Sequence, residues 1–185
     1  MQPWMMVILI ASILIIAAVA WLIQDRNRSR RLRERFGDEY DRILIEAGDR
    51  QRAESELEQR EVHALQLRDR QLDWRDRDGF QLQWQHCQAQ FVDDPAGALN
   101  RADQLLTELM RTRGYAAENP FDRMTDIAAA YPEHASRYRD ASRIMARSRK
   151  GEVSTAELRQ AFLDYRSLFD DVLGRNEVEE FKRAS

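Results

Sequence analysis

Residues 154–174 read STAELRQAFLDYRSLFDDVLG, and this stretch shows most directly how the chain folds. Ser154 and Glu157 have the spacing of a capping box, in which each side chain accepts a hydrogen bond from the backbone N–H of the other residue. Large apolar or aromatic residues then recur in alternating steps of four and three as far as Gly174, a residue type that commonly ends helices. The pattern therefore predicts a helix with one buried face. That face consists of Leu158, Phe162, Tyr165, Phe169 and Val172.

Similar signals upstream extend this interpretation to residues 75–174. Asp94 and Asn119 each precede a proline, which predicts two helix starts because Asp and Asn cap helices and proline favours their first position. Pro132 predicts a break between two further helices. No segment shows sustained strand alternation, so the sequence predicts an all-α fold with a compact multi-helix bundle over residues 75–174. The predicted buried faces are Phe80, Trp84, Cys87 and Phe91; Leu99, Ala102, Leu106 and Leu109; Phe121, Met124, Ile127 and Ala128; and His134, Tyr138, Ala141 and Met145.

The N-terminal region has a different composition. No charged residue occurs in residues 4–23, and 20 residues of helix rise about 30 Å, which matches the hydrocarbon thickness of a bilayer. Trp4 and Trp21 lie near the ends of this run, where indole rings favour the headgroup region. The sequence therefore predicts a single transmembrane helix over residues 4–23, after a short stub at residues 1–3.

A cleaved signal peptide is the alternative, because Ala18-Val19-Ala20 has the small-x-small form that signal peptidase prefers. In that case residues 1–20 would be removed and the body would be secreted or periplasmic. The segment before the apolar run lacks basic residues, and the run is longer than a typical signal-peptide core. These features favour an uncleaved anchor.

A basic flank follows the apolar run and predicts its orientation. Six arginines lie there against two acidic residues, Asp25 and Glu34. By the positive-inside bias the body lies in the cytoplasm, at the inner face of the cell membrane. Four of these arginines could also hold anionic lipid headgroups, although all six could serve only to set the topology. The four are Arg26, Arg28, Arg30 and Arg31.

Residues 24–74 are predicted to contain this flank and charged juxtamembrane helices. An amphipathic pattern interrupted at Gly37 ends at Gly48, where Asp49 is a candidate N-cap. Residues 50–70 then carry many opposite charges at i,i+4, which indicates a solvated or bridging helix. Its few apolar positions are Ala53, Leu57, Ala64 and Leu65. The sequence leaves open whether the amphipathic helix lies on the membrane or packs on the body.

Charge and cysteine content exclude several classes of site. Residues 36–185 carry 23 basic and 30 acidic residues, a formal charge of −7, whereas nucleic-acid binding needs a concentrated cationic face. Cys87 is the only cysteine, so the chain can form neither an intramolecular disulfide nor a cysteine-based zinc cage. Residues 175–185 are predicted to be a tail that frays, with acidic residues at 177, 179 and 180 and an equal number of basic residues.

Several short runs are similar to those of a known family. They are 32–37 (LRERFG), 40–42 (YDR), 91–95 (FVDDP), 113–115 (RGY) and 165–169 (YRSLF). Together they resemble an uncharacterised family of bacterial proteins with an N-terminal membrane anchor and an all-helical soluble body. The resemblance covers most of the chain and implies this layout, but it implies no activity.

The sequence offers little catalytic chemistry. None of its three histidines has a metal-ligand spacing, and His134 is predicted to be a hydrogen-bonded structural residue on an apolar face. The acidic pairs at 93–94 and 170–171 have structural explanations as a helix cap and an i,i+4 partner. Nucleophile-elbow, phosphate-loop and zinc-protease motifs are absent from the sequence. The sequence therefore predicts neither an enzyme nor a metal or cofactor site.

One constellation predicts a contact surface. A row of four cations falls on one helical face at i, i+4, i+8 and i+11, and it could meet an acidic protein or the membrane surface. Alternatively, these cations sit in solvent and complement the macrodipole at a helix C-terminus. The row consists of Arg139, Arg143, Arg147 and Lys150.

These observations predict a membrane-tethered, non-catalytic helical module that engages a partner protein at the inner face of the membrane. Its partners would be the lipid bilayer and an unidentified protein, and the oligomeric state stays open. One alternative is a small-ligand or lipid-sensing domain, which a large pocket lined by Trp84 and Phe162 would favour. An enzyme with an unrecognised site is the other alternative, and it would need clustered acids or histidines with shifted pKa values.

Overall fold

The computed structural model describes residues 3–116 and 119–174, and it describes the backbone but not the side chains of residue 3 and residues 5–11. Every regular element within the described residues is a helix, so the predicted all-α fold is confirmed. The predicted tail at 175–185 and the first two residues of the stub lie outside the described residues. The helices are α1 (Pro3–Phe36), α2 (Asp38–Ala47), α3 (Arg50–Asp69), α4 (Trp74–Gln90), α5 (Pro95–Arg113), α6 (Pro120–Ala130), α7 (Pro132–Ser148) and α8 (Thr155–Leu173).

The helix starts that the sequence predicted are confirmed by their hydrogen bonds. Asp94 accepts a bond from the backbone N–H of Gly97, and Asn119 accepts one from that of Phe121. The capping box at the start of α8 is complete, with both reciprocal bonds present between Ser154 and its partner three residues on. Local sequence signals therefore located these ends, because a cap bonds to a backbone group two or three residues away.

Helix α1 runs for 34 residues without a break, from the apolar run through the basic flank. Among the described residues, no helix is both long enough and apolar enough to qualify as a membrane span. This finding does not support the predicted transmembrane helix over residues 4–23. Seven of the side chains within that run, those of residues 5–11, lie outside the described set.

The chain divides into two compact units, of which the first ends at Leu57 and the second begins at Glu58. In the first unit, Leu32 and Phe36 of α1 are fully buried, and Tyr40 and Ile43 of α2 are nearly so. Gly37 joins these two helices with a φ of 57°, a left-handed conformation that residues with a Cβ adopt only at a cost. The predicted interruption at Gly37 is confirmed.

In the second unit, α8 packs against α5 and α7, while α4 packs on α5 and α6 packs on α7. Helices α7 and α8 are antiparallel, because His134 in the first turn of α7 contacts Asp171 near the end of α8, and Arg147 near the end of α7 contacts Glu157 near the start of α8. All five residues of the predicted α8 face are buried. The regular apolar rhythm of α8 thus reflects its position between two neighbours.

The second unit also contains the C-terminal part of α3, which the sequence analysis grouped with the juxtamembrane helices. Arg113 at the end of α5 donates hydrogen bonds to the carbonyl oxygens of Leu67, Arg68 and Arg70. Tyr115 donates to the carbonyl oxygen of Ala64. These bonds hold the end of α3 to α5. The apolar periodicity of α3 did not predict them, because they involve backbone carbonyl groups.

Candidate functional site

A cleft of about 440 Å³ opens between α5, α6 and α7 in the second unit. Its most buried polar lining, termed the polar base, consists of Asp103, Arg123, Tyr138 and Ser142. Its apolar lining consists of Pro120, Met124, Met145 and Ala146. Three further arginines complete the lining and are termed the arginine rim: Arg139, Arg143 and Arg149.

The polar base is a hydrogen-bonded network centred on Arg123. Its Nε donates to the hydroxyl of Tyr138 over 2.7 Å, and its Nη2 donates to the carboxylate of Asp103 over 3.3 Å. Its Nη1 donates to the hydroxyl of Thr107. Tyr165 of α8 donates to the same Asp103 carboxylate over 3.0 Å. The network therefore ties together α5, α6, α7 and α8, and the charges of Arg123 and Asp103 offset each other.

The two tyrosines of this network stay protonated near neutral pH. Burial raises the pKa of Tyr138 to about 12, with the nearby Asp103 carboxylate acting in the same direction. Burial and Asp103 also raise the pKa of Tyr165 well above its usual range. A phenol with a raised pKa donates hydrogen bonds but does not give up its proton at neutral pH. These hydroxyls therefore position the helices around the cleft.

The arginine rim is more exposed than the base. The Arg143 side chain is 70% exposed. It forms a direct, solvent-exposed ion pair with Asp140, which lies one turn earlier on α7. Arg149 is exposed, and Arg139 is half-buried. Exposed pairs of this kind typically contribute less than about 1 kcal/mol, so the Arg143 guanidinium can exchange its partner at little cost.

The predicted row of four cations divides between two places. Arg139 and Arg143 line the cleft, whereas Arg147 contacts Glu157 over 3.1 Å and donates to the carbonyl oxygen of Glu152. Helix α7 ends at Ser148, so Lys150 lies in the turn that follows the helix and the regular i+11 spacing does not apply to it. Arg149, which the row did not include, takes the third position on the cleft.

A second hollow of about 470 Å³ adjoins the cleft. It shares Met145 and Arg149 with the cleft and continues along the first turns of α5, where Ala96, Asn100 and Gln104 line it. The cleft and this hollow together make a groove along α5 and α7.

Trp84 and Phe162 are not among the residues that line either hollow. Trp84 is 1% exposed and stacks on Phe169, with ring centroids 4.5 Å apart. Phe162 packs against Trp84 at 5.2 Å and against Phe91 at 4.8 Å. These aromatic rings form part of the bundle core and line neither of these two hollows, so the pocket that would favour the small-ligand alternative is not found at these residues.

The described residues contain one group that could hold a metal ion, in which donor atoms of Glu133, His134 and Asp171 lie within 4.8 Å of one another. His134 is buried, and its Nε2 lies 2.5 Å from the Asp171 carboxylate. Its Nδ1 has no hydrogen-bond partner in the described structure. When one ring nitrogen of a histidine binds a metal, the other usually donates a hydrogen bond that orients the ring, and Nδ1 of His134 makes none. The predicted role of His134 as a hydrogen-bonded structural residue explains this geometry better.

The four flank arginines proposed as lipid contacts belong to the first unit and differ in their surroundings. Arg26 and Arg31 are exposed, and Arg30 pairs with Glu34 over 2.7 Å on the surface. Arg28 approaches Glu54 of α3, with its Nε 3.8 Å from a carboxylate oxygen. Arg28 is therefore drawn toward the interior of this unit.

Glu54 is the centre of the first unit, although its position on a highly charged helix suggested a solvated residue. Its side chain is 2% exposed and accepts hydrogen bonds from Ser29 over 2.6 Å and from Tyr40 over 3.0 Å. Arg50 lies 3.6 Å away. A buried carboxylate is stable only when such donors and cations surround it. Glu54 thus joins α1, α2 and the start of α3.

Sequence reasoning missed Asp103, Arg123 and Arg149 as site residues. Arg123 and Asp103 each lie next to a predicted apolar position, Met124 and Ala102, so the pattern placed them at the border of a buried face. Periodicity alone gives no sign that two such border residues on different helices meet. A charged residue at that border is the one signal that could have suggested a buried polar network.

No family model, curated protein or solved structure matches the chain, so these comparisons assign it to no family and the resemblance described above stays an expectation.

Proposed function

We propose that this chain is a membrane-tethered, non-catalytic helical module, in which the apolar half of α1 is a single-pass anchor and the body engages a partner protein at the inner face of the membrane. The observation that carries the proposal is the exposure of four successive side chains of α1. Ile13, Leu14, Ile15 and Ile16 are 57%, 64%, 64% and 67% exposed.

Successive residues of an α-helix point about 100° apart, so four in a row cover the whole circumference. Exposure of all four means that the described chain covers no side of the helix at this level. Exposing apolar surface to water costs roughly 25 cal/mol per Å². A bilayer surrounds a helix with hydrocarbon and so removes this cost on every side of it. The even distribution of apolar surface supports a lipid environment more than docking on a single protein face.

The second half of α1 supports the orientation. Arg26, Arg30 and Arg31 point into solvent immediately after the apolar run, and exposed cations at this place favour the cytoplasmic side. The Glu54 centre fixes this basic half to α2 and α3. The part of the first unit that follows the proposed anchor, residues 24–57, is termed the collar.

The cleft supports an alternative role as a small-ligand or lipid-sensing domain, because its volume of about 440 Å³ lies in the range of small-molecule sites. Both roles are compatible with a membrane anchor. They differ in what occupies the cleft.

The anchor is tested by extraction of the full-length protein from membranes with alkaline carbonate. We expect the parent to stay in the membrane pellet. Leu14→Arg with Ile15→Arg should move it to the supernatant, because each arginine near the centre of a span costs roughly 2.5–3.5 kcal/mol on insertion scales. Val92→Arg is the matched control, since Val92 is 82% exposed in the second unit and its replacement should leave the protein in the pellet.

Recovery of the parent in the supernatant would contradict the anchor. So would a double variant that still resists extraction. A mature N-terminus at Trp21 would instead establish the cleaved signal peptide.

A further inference from the structure

We propose that the groove between α5, α6 and α7 binds an acidic amphipathic segment of a partner protein. This inference rests on the proposed interaction role, whose site and partner chemistry it names, but it does not depend on the anchor. The carrying observation is that three arginines line an apolar cleft within a body whose residues 36–185 have a formal charge of −7.

The charge of the groove follows from the arrangement of its cations. Arg123 and Asp103 offset each other in the polar base, so the cations at the mouth are those of the arginine rim, of which Arg143 pairs with Asp140. Arg143 has only a solvent-exposed contact with Asp140 to give up on binding. Guanidinium groups bind carboxylates through paired N–H donors, which makes the rim suited to Asp and Glu side chains.

The apolar lining indicates that the partner carries more than charge. Met124 and Met145 lie within the cleft together with Pro120 and Ala146. Methionine side chains are flexible and polarisable, so they adapt to apolar residues of different shape. A ligand that matches this groove therefore has an apolar face beside an acidic one, as an amphipathic helix does.

The length of the groove favours a protein segment over a small anion. From Arg139 to the end of α7 at Ser148 the helix rises about 14 Å, or two and a half turns, and Arg149 follows directly. The adjoining hollow of about 470 Å³ shares Met145 and extends the groove toward Asn100. A single carboxylate or phosphate group would engage one end of this surface, whereas a helical segment of ten or so residues would cover its length.

The test places a photo-crosslinking amino acid at Ala146 in the full-length protein, in its own cells, and identifies the crosslinked product by mass spectrometry. Ala146 is exposed and lines the cleft without belonging to the hydrogen-bonded base. We expect crosslinks to a segment of another protein that has more acidic than basic residues and apolar residues at spacings of three and four. The sequence of the crosslinked peptide is the readout, since capture of a protein alone would not reveal its chemistry.

Charge reversal then tests the rim. Arg143→Glu with Arg149→Glu should lower the crosslinked fraction roughly tenfold or more, through repulsion of the acidic segment. Arg111→Glu with Arg159→Glu makes the same change in net charge at exposed positions on α5 and α8 that line neither hollow, and it should leave the crosslinks unchanged. Circular dichroism and thermal melting confirm that all variants are folded.

Several results would overturn the proposal. Crosslinks to lipid, to residues 175–185 of this chain, to a second copy or to a small molecule would assign a different occupant. A basic or uncharged crosslinked segment, equal losses in both double variants, or no crosslink would remove the proposed chemistry. Membrane fractionation of the same samples reports on the anchor separately, because a soluble protein that still crosslinks to an acidic segment would contradict only the anchor.

Discussion

Several charged side chains are buried among the described residues, and three of them bind groups on other helices. Arg113 and Arg123 in the second unit and Glu54 in the first are buried, and each forms several hydrogen bonds with other helices. A buried charge destabilises a fold when a partner is removed, because the remaining charge is left uncompensated. These residues therefore specify which helices meet, in addition to the apolar contacts that hold them together.

Arg113 provides the sharpest test of this role, because it binds carbonyl oxygens at the ends of two helices, α3 and α8. We expect Arg113→Lys to lower the free energy of unfolding by about 2–4 kcal/mol, since one ammonium group cannot reach the carbonyls of Leu67, Arg68 and Val172 together. Urea denaturation of the full chain in mild detergent measures it.

The neighbouring Arg111→Lys is the control for this change. Arg111 is exposed, so the same exchange there should alter the free energy of unfolding by less than about 0.5 kcal/mol. Equal effects of the two variants would show that the carbonyl contacts of Arg113 contribute nothing specific.

At the scale of the helices, the sequence predicted most features that depend on residues close together in the chain, such as helix caps and buried faces. The caps at Asp94, Asn119 and Ser154 and the buried face of α8 are local patterns, and the structure confirms them. The cleft was not predictable in this way, because Asp103, Arg123 and Tyr138 belong to three different helices. Their meeting depends on how α5, α6 and α7 pack, which periodicity does not encode.

Helix α3 shows the same limit from the opposite side. Its dense charges predicted a solvated or bridging helix with a few apolar positions, but they gave no sign that the carboxylate of Glu54 is almost completely buried. The sequence showed the charge of Glu54 but not its partners Ser29 and Tyr40, which lie on other helices. A charged side chain is buried where other helices supply matching donors, and this depends on how the helices pack.

The buried face of α8 is tested by placing one carboxylate on each side of the helix. Phe162 is 7% exposed and packs between Trp84 and Phe91, so Phe162→Asp should cost several kcal/mol and unfold the second unit. Leu163 is 55% exposed, and Leu163→Asp should melt close to the parent. Thermal melting followed by circular dichroism compares them, and similar melting of both variants would show that the face is assigned wrongly.

At the scale of the whole molecule, the distribution of charge is the main feature. The basic flank from Arg26 to Arg35 follows directly on the apolar run, and the rest of the chain is acidic. Positive charge at one end of a proposed span determines which end stays in the cytoplasm. The proposed orientation therefore depends on a few exposed arginines and not on the fold of the body.

A reporter fused after Ser185 that is active only outside the cytoplasm tests this orientation, and we expect it to stay silent. Replacement of Arg26, Arg30 and Arg31 by Asn, together with Gln2→Lys, should raise the reporter signal because the charge bias across the span is weakened. Arg28 is left unchanged, since it approaches Glu54. A parent fusion that is active, or a reporter that is indifferent to these changes, would contradict the proposed topology.

The continuity of α1 would have a mechanical consequence for a protein anchored as proposed. Its backbone is helical from Pro3 to Phe36, with no hinge where the apolar half meets the basic half. An anchor helix tilts when the bilayer becomes thinner than its apolar stretch. The stiff extension from Gln24 to Phe36 is about 18 Å long, so a tilt of about 20° would displace its far end sideways by roughly 6 Å. The orientation of the collar around Glu54 would therefore change with the local thickness of the membrane. A flexible linker after the anchor would not transmit this change.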